Sequence, residues 1–115
     1  MIYAVLYQDG RDLTGCRAEG HSGWAEAGSD IVCAAFSILT CTCVNALESV
    51  CGVVPRITEE DDDKGILAFE LPDRTEAENK KAQILMAALR QGLEDLTAEY
   101  PQNVTLSIKE RRKQP

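Results

Sequence analysis

From Ile31 to Val50 the chain reads IVCAAFSILTCTCVNALESV, a run that is apolar nearly all round. Ala34, Ala35, Phe36, Ile38, Leu39, Val44, Ala46 and Leu47 leave little polar face, so the run predicts a central, largely buried helix on which the rest of the chain packs. Gly52 supplies a stop for it. The flanking sequence supplies strands. Ile2 to Tyr7 reads as a strand that turns at Asp9-Gly10 into a weaker one from about Asp12 to Glu19. VVPRIT and GILAFEL read as two more, with Pro55 pointing to an edge position for the first and the acidic run Glu59 to Asp63 between them forming an exposed tip that could also attract a basic ligand.

Thr75 with Glu78 three residues on fits a capping box. Ala82, Leu85, Met86, Leu89, Leu93 and Leu96 then recur at helical spacing. Tyr100-Pro101 ends this second helix, and Val104, Leu106 and Ile108 alternate as a final strand. The order β-β-α-β-β-α-β predicts an α+β fold, a two-layer domain with a mostly antiparallel sheet and two helices. At 115 residues, 44% hydrophobic and 27% charged, the chain is expected to form a single domain over residues 1–115.

The formal net charge of −7 argues against direct contact with nucleic acid and suits a basic partner. Lys109 to Lys113, the only basic cluster, is short, is interrupted by Glu110 and reads as a solvated tail. No window holds ~18 uninterrupted apolar residues, and no basic leader precedes IYAVLY, so a cytoplasmic location without a membrane partner is expected. The five cysteines, Cys16, Cys33, Cys41, Cys43 and Cys51, form an odd set without CxxC spacing, which predicts reduced thiols and no metal site or cofactor. Cys41 and Cys43 lie about 200° apart on a helix and cannot share one metal. These two and Cys51 are read as packing residues, and Cys16 as either packing or functional.

Chemistry concentrates in GHSGWAEAGSDIVCAAFS, Gly20 to Ser37, which holds the only histidine and, twelve residues on, Cys33. Imidazole has the unperturbed pKa nearest neutrality, and a thiol becomes a strong nucleophile when it loses its proton. The pair suggests acyl transfer. Ser29 or Asp30 can serve as N-cap, which would put Cys33 in the first turn, where unpaired N–H groups favour a thiolate and an oxyanion. Ser22 to Ser29 would form a gating loop. Asp30 can equally cap the helix or orient His21. Each residue also has a plainer reading, since a single His is more often structural and a Cys on an apolar helix is more often a core hydrophobe.

G-H, a loop with Gly and an aromatic, then G-S-D-I-V-C-A-A and a Ser, resemble the signature of the ribosomal-processing cysteine protease family, and the resemblance spans the whole chain. It implies a homodimeric endopeptidase that removes the N-terminal extension of large-subunit ribosomal protein twenty-seven, a basic substrate. It implies Cys33 as nucleophile, His21 as general base and acid, and Asp30 as a conditional third member. Gly20, Ser22, Trp24 and Ser37 fall on the matching stretch as substrate-contacting positions. Trp24 stands where the family pattern has tyrosine, and Phe36 where it has a smaller aliphatic residue. The alternative is a non-catalytic dimeric, ribosome-associated binding or assembly module. A thiol redox sensor pairing Cys33 with Cys41 or Cys51 is a third reading.

Overall fold

The computed structural model describes residues 1–20 and 27–112, with residues 27–30 described by their backbone alone. His21, Ser22 and Trp24, with most of the expected gating loop, lie outside the described residues, as does the side chain of Asp30.

The chain folds as β1 (Ile2–Asp9), β2 (Asp12–Glu19), α1 (Ala27–Cys51), β3 (Arg56–Asp61), β4 (Ile66–Glu70), α2 (Glu76–Glu99) and β5 (Val104–Glu110), the expected α+β order. The five strands form one sheet in the order β3-β4-β2-β1-β5. Three of the pairings are antiparallel, and β5 runs parallel to β1. Gly10, at φ 61°, opens the two-residue β1–β2 loop, the position where a type II′ turn calls for glycine. Its N–H donates to Oε1 of Glu110 at 2.8 Å, tying the end of β5 to the turn.

The core joins both helices to one face of the sheet. Leu6, Cys16, Leu47, Phe69, Met86, Leu93 and Val104 are among its most buried side chains. α2 presents Ala82, Met86, Leu89, Leu93 and Leu96 to it, and its capping box is complete. The Thr75 hydroxyl accepts from the Glu78 N–H at 3.1 Å, and the Glu78 carboxylate accepts from the Thr75 N–H at 2.8 Å. The Gln83 amide grips β2 by both backbone groups of Leu13, each at 2.8 Å. The two helices approach closely where Gly92 faces Leu39, since a Cβ there would lie 2.7 Å from a Leu39 methyl.

Three expectations are corrected. α1 starts at Ala27, ahead of the proposed caps Ser29 and Asp30, so Cys33 is its seventh residue and lies in the second turn. α1 is also not largely buried. Val32, Phe36, Cys43, Leu47 and Cys51 enter the core, whereas Ile31, Ile38 and Val50 are 61%, 68% and 64% exposed. The outer face mixes these apolar side chains with Ser37, Thr42, Asn45, Glu48 and Ser49, and with a single charge among them it does not stand out in the sequence as a solvent face. The stretch Ile31–Cys51 is long and apolar enough to cross a membrane by length and composition, although it holds no uninterrupted apolar run of ~18 residues. One face of it nonetheless packs in the same core as the sheet.

The third correction concerns β3. Gly52, at φ 70°, ends α1, with Gly52 N–H donating to Glu48 O and Val53 N–H to Leu47 O. Val53 is buried in this helix stop, so VVP is unavailable for strand pairing and β3 begins after Pro55. The strand therefore runs on through Glu59, Glu60 and Asp61, which places three of the five residues of the expected acidic tip inside the sheet.

Candidate functional site

β2 delivers the chain to Gly20, whose N–H donates to Gly65 O at 3.1 Å. Gly20 adopts φ 135°, and a Cβ there would collide with the Met1 carbonyl oxygen. Only glycine fits this crossing, which sets where the backbone enters residue 21. Between this corner and the N-terminal half of α1 lies a cavity of about 360 Å³, lined by Gly20, Cys33 and Ser37 together. Cys33 and Ser37 are four residues apart and share a helix face. Cys33 is half-buried and packs against the core edge, and Ser37 is exposed.

The cavity has two kinds of wall. Ile2, Ala18, Phe36 and Ile66 form an apolar floor, and Glu19, Glu60, Asp61 and Asp62 form an acidic rim. The Thr40 hydroxyl beneath it donates back to Phe36 O at 3.1 Å and Ser37 O at 3.2 Å, so this buried polar group is satisfied within the helix. The floor suits an apolar side chain, and the rim suits a positively charged one.

The other cysteines separate by environment. Cys16 is 1% exposed, and its thiol is pushed up to about 12, by burial first and by neighbouring Cys43 second. Cys43 is pushed up to about 11, again by burial first and then by Cys51, and its sulfur lies 3.9 Å from that of Met86. Both stay protonated at neutral pH and serve packing. Cys41 departs from the packing role expected for it, because it is exposed and lines the cavity with Cys33. A Cys33–Cys41 disulfide is excluded by geometry: eight helical residues span about 12 Å, twice the Cα separation a disulfide allows. Cys51 lies farther still along the helix, so a redox pair with Cys33 has no support.

The position of Cys33 in the second turn changes the electrostatic expectation. The unpaired N–H groups and positive end of the macrodipole belong to the first turn, so α1 itself gives a Cys33 thiolate only weak support. A second hollow of about 420 Å³, at the opposite end of the sheet, is lined by four arginines, three of them engaged by carboxylates, and by no thiol. Arg56 and Arg111 share Glu70 at 2.7 and 3.9 Å, and Arg74 meets Asp12 at 3.8 Å.

The sequence marks Glu60 and Asp61 only as part of an acidic run that could attract a basic ligand, and gives Phe36 no site role. The helical spacing of Phe36 from Cys33 signals the same side of α1, but the approach of Glu60 depends on sheet register.

Comparison with known proteins gives a consistent picture. The family model for cysteine protease Prp matches residues 1–105. The ribosomal processing cysteine protease Prp of Bacillus subtilis is 32% identical over 89 residues, covering 76% of this chain and 79% of that protein. A crystal structure of a Streptococcus mutans protein superposes with a TM-score of 0.86 at 32% identity, covering 96% of each chain. The Prp protease of Staphylococcus aureus, solved with a substrate peptide, gives a TM-score of 0.82 at 27% identity, covering 95% of this chain and all 100% of that one.

Proposed function

The chain belongs to the cysteine protease Prp family and is a hydrolase of peptide bonds, and on that premise we propose that it removes the N-terminal extension of large-subunit ribosomal protein twenty-seven during ribosome maturation. The observation that carries this reading is the single groove lined by Cys33, by Ser37 and by Gly20, the residue immediately before the only histidine. A basic substrate matches the acidic rim of that groove and the net charge of −7.

In this mechanism His21 takes the Cys33 proton, and the thiolate attacks the scissile carbonyl to give a tetrahedral oxyanion. The imidazolium returns the proton to the leaving amine as the C–N bond breaks. Water, deprotonated by His21, then cleaves the thioester and restores the thiol. Because α1 gives Cys33 weak help, activation of the thiol rests chiefly on His21, with Asp30 as its orienting partner. Ser37 lies one turn along the same face, where its hydroxyl can hold substrate backbone. Ser22 and Trp24 are assigned to substrate contact by their place in the family motif alone.

The enzyme acts in the cytoplasm as a homodimer. The exposed apolar side chains Ile31 and Ile38, seven residues apart on one side of α1, support the dimer, since a second copy would take this face out of water. The test is incubation of the purified protein, and of its Cys33→Ala variant, with extended ribosomal protein twenty-seven, followed by intact-mass analysis. A single N-terminal truncation made only by the unmodified protein is expected. An unchanged substrate mass would overturn the substrate assignment.

A further inference from the structure

β3 is an outer strand of the sheet, bonded to β4 on one side, and among the described residues no strand pairs with its other edge. Open edges invite pairing, and proteins guard them with charge and with bulges. β3 has both, with the sequence RITEED and a register shift between Ile57 and Glu59. A guard of one sign is selective: it repels a second acidic edge and admits a basic strand.

The register shows where this edge leads. Ala4 pairs with Ala18, Ala18 with Leu67, and Leu67 with Glu60, so the four share one face of the sheet. Ala4 and Ala18 are buried in the core, which makes this the helix-covered face. Glu60 ends the row at the open edge, and with Leu67 and Cys33 it lines the same cavity. Its acidic neighbours on the strand are already engaged. Glu59 accepts from Arg17 at 3.1 Å, and Asp61 accepts from the Lys64 N–H at 3.0 Å. The Glu60 carboxylate has no hydrogen-bond or ion-pair partner among the described residues.

We propose that the open edge of β3 receives the substrate as an added strand, with a basic side chain of that strand meeting Glu60 on the approach to Cys33. This rests on the protease reading above and assigns its substrate class: an extended peptide with a Lys or Arg positioned to reach Glu60. Main-chain bonds to β3 give the pairing its affinity without regard to sequence, and Glu60 supplies the selectivity.

The experiment uses the full-length Cys33→Ala protein, titrated with an alternating Lys-Val hexapeptide and, separately, with its Glu-Val counterpart, followed by backbone amide shifts. The Lys-Val peptide is expected to move the amides of residues 56–61, and the Glu-Val peptide to leave them in place. A Glu60→Lys change on the same background is expected to weaken Lys-Val binding about fivefold or more, since it removes an ion pair worth up to about 1 kcal/mol and sets two like charges against each other. Alternate N-methylation of the peptide should abolish binding for one set of amides only, which a simple electrostatic contact would not do. Shifts confined to other strands, equal binding of both peptides, or unchanged affinity in Glu60→Lys would overturn the proposal. Failure to trim ribosomal protein twenty-seven would bear on the substrate alone, since this readout does not use that protein.

Discussion

Raising the pH should destabilise this protein through a residue outside the groove, Cys16. Burial, with a smaller contribution from Cys43, lifts its thiol from an ordinary 9.0 to about 12. Below pH 9 the folded and unfolded chains both hold this proton. Between 9 and 12 the unfolded chain has released it while the folded chain keeps it, so stability falls as pH rises. For this one group the loss is about 1.4 kcal/mol by pH 10. Cys43, pushed up to about 11, acts in the same direction. The assay is urea unfolding of the unmodified protein and of Cys16→Ala at pH 7.5 and at pH 10. The alanine variant loses some packing at both pH values but does not titrate, so its deficit relative to the parent should shrink by about 1.4 kcal/mol at pH 10. A deficit equal at both pH values would refute the reasoning.

Two further outcomes follow from the geometry. Gly20→Ala meets the Met1 carbonyl at a φ that L-residues avoid, so it should cost about 1–3 kcal/mol in urea unfolding and also lower kcat/KM, because the same corner leads the chain to His21. Thr75→Ala removes the α2 cap and should cost about 1 kcal/mol with kcat/KM unchanged, since that cap is not part of the Cys33 cavity.

Local signals in the sequence were reliable where a local interaction decides the structure. The Thr75–Glu78 box, the Asp9-Gly10 turn and the Met86 to Leu96 spacing each appear in the fold because each is settled within a few residues. Pro55 correctly pointed to an outer strand, but the strand begins beyond it because Val53 is committed to closing α1. The burial of α1 could not be read from its pattern, because apolar residues such as Ile38 face outward as well as inward. The start of α1 is likewise not given by residue type, since Ser29 and Asp30 resemble caps although the helix passes through them.

The site was legible in part. Cys33 and Ser37 share a face by simple helical spacing, and the cavity joins them to Gly20. The placement of His21, Ser22 and Trp24, and of the Asp30 side chain, lies outside the described residues. Glu60 could not be found from local spacing. It reaches the cavity only because three successive strand pairings align it with Leu67, Ala18 and Ala4. Cys41 was hidden for the opposite reason, as its helical neighbours resemble core while its own side chain is exposed to the groove.

The central claim is that Cys33 is the nucleophile, and Cys41 in the same cavity is its sharpest rival. The most direct measurement is limited alkylation at neutral pH, with peptide mapping of every adduct against the peptidase activity that remains. The account predicts that activity falls in proportion to modification of Cys33, that Cys16 and Cys43 stay unmodified, and that Cys41→Ala changes neither result. Full activity with Cys33 alkylated, or loss that follows Cys41 instead, would contradict it.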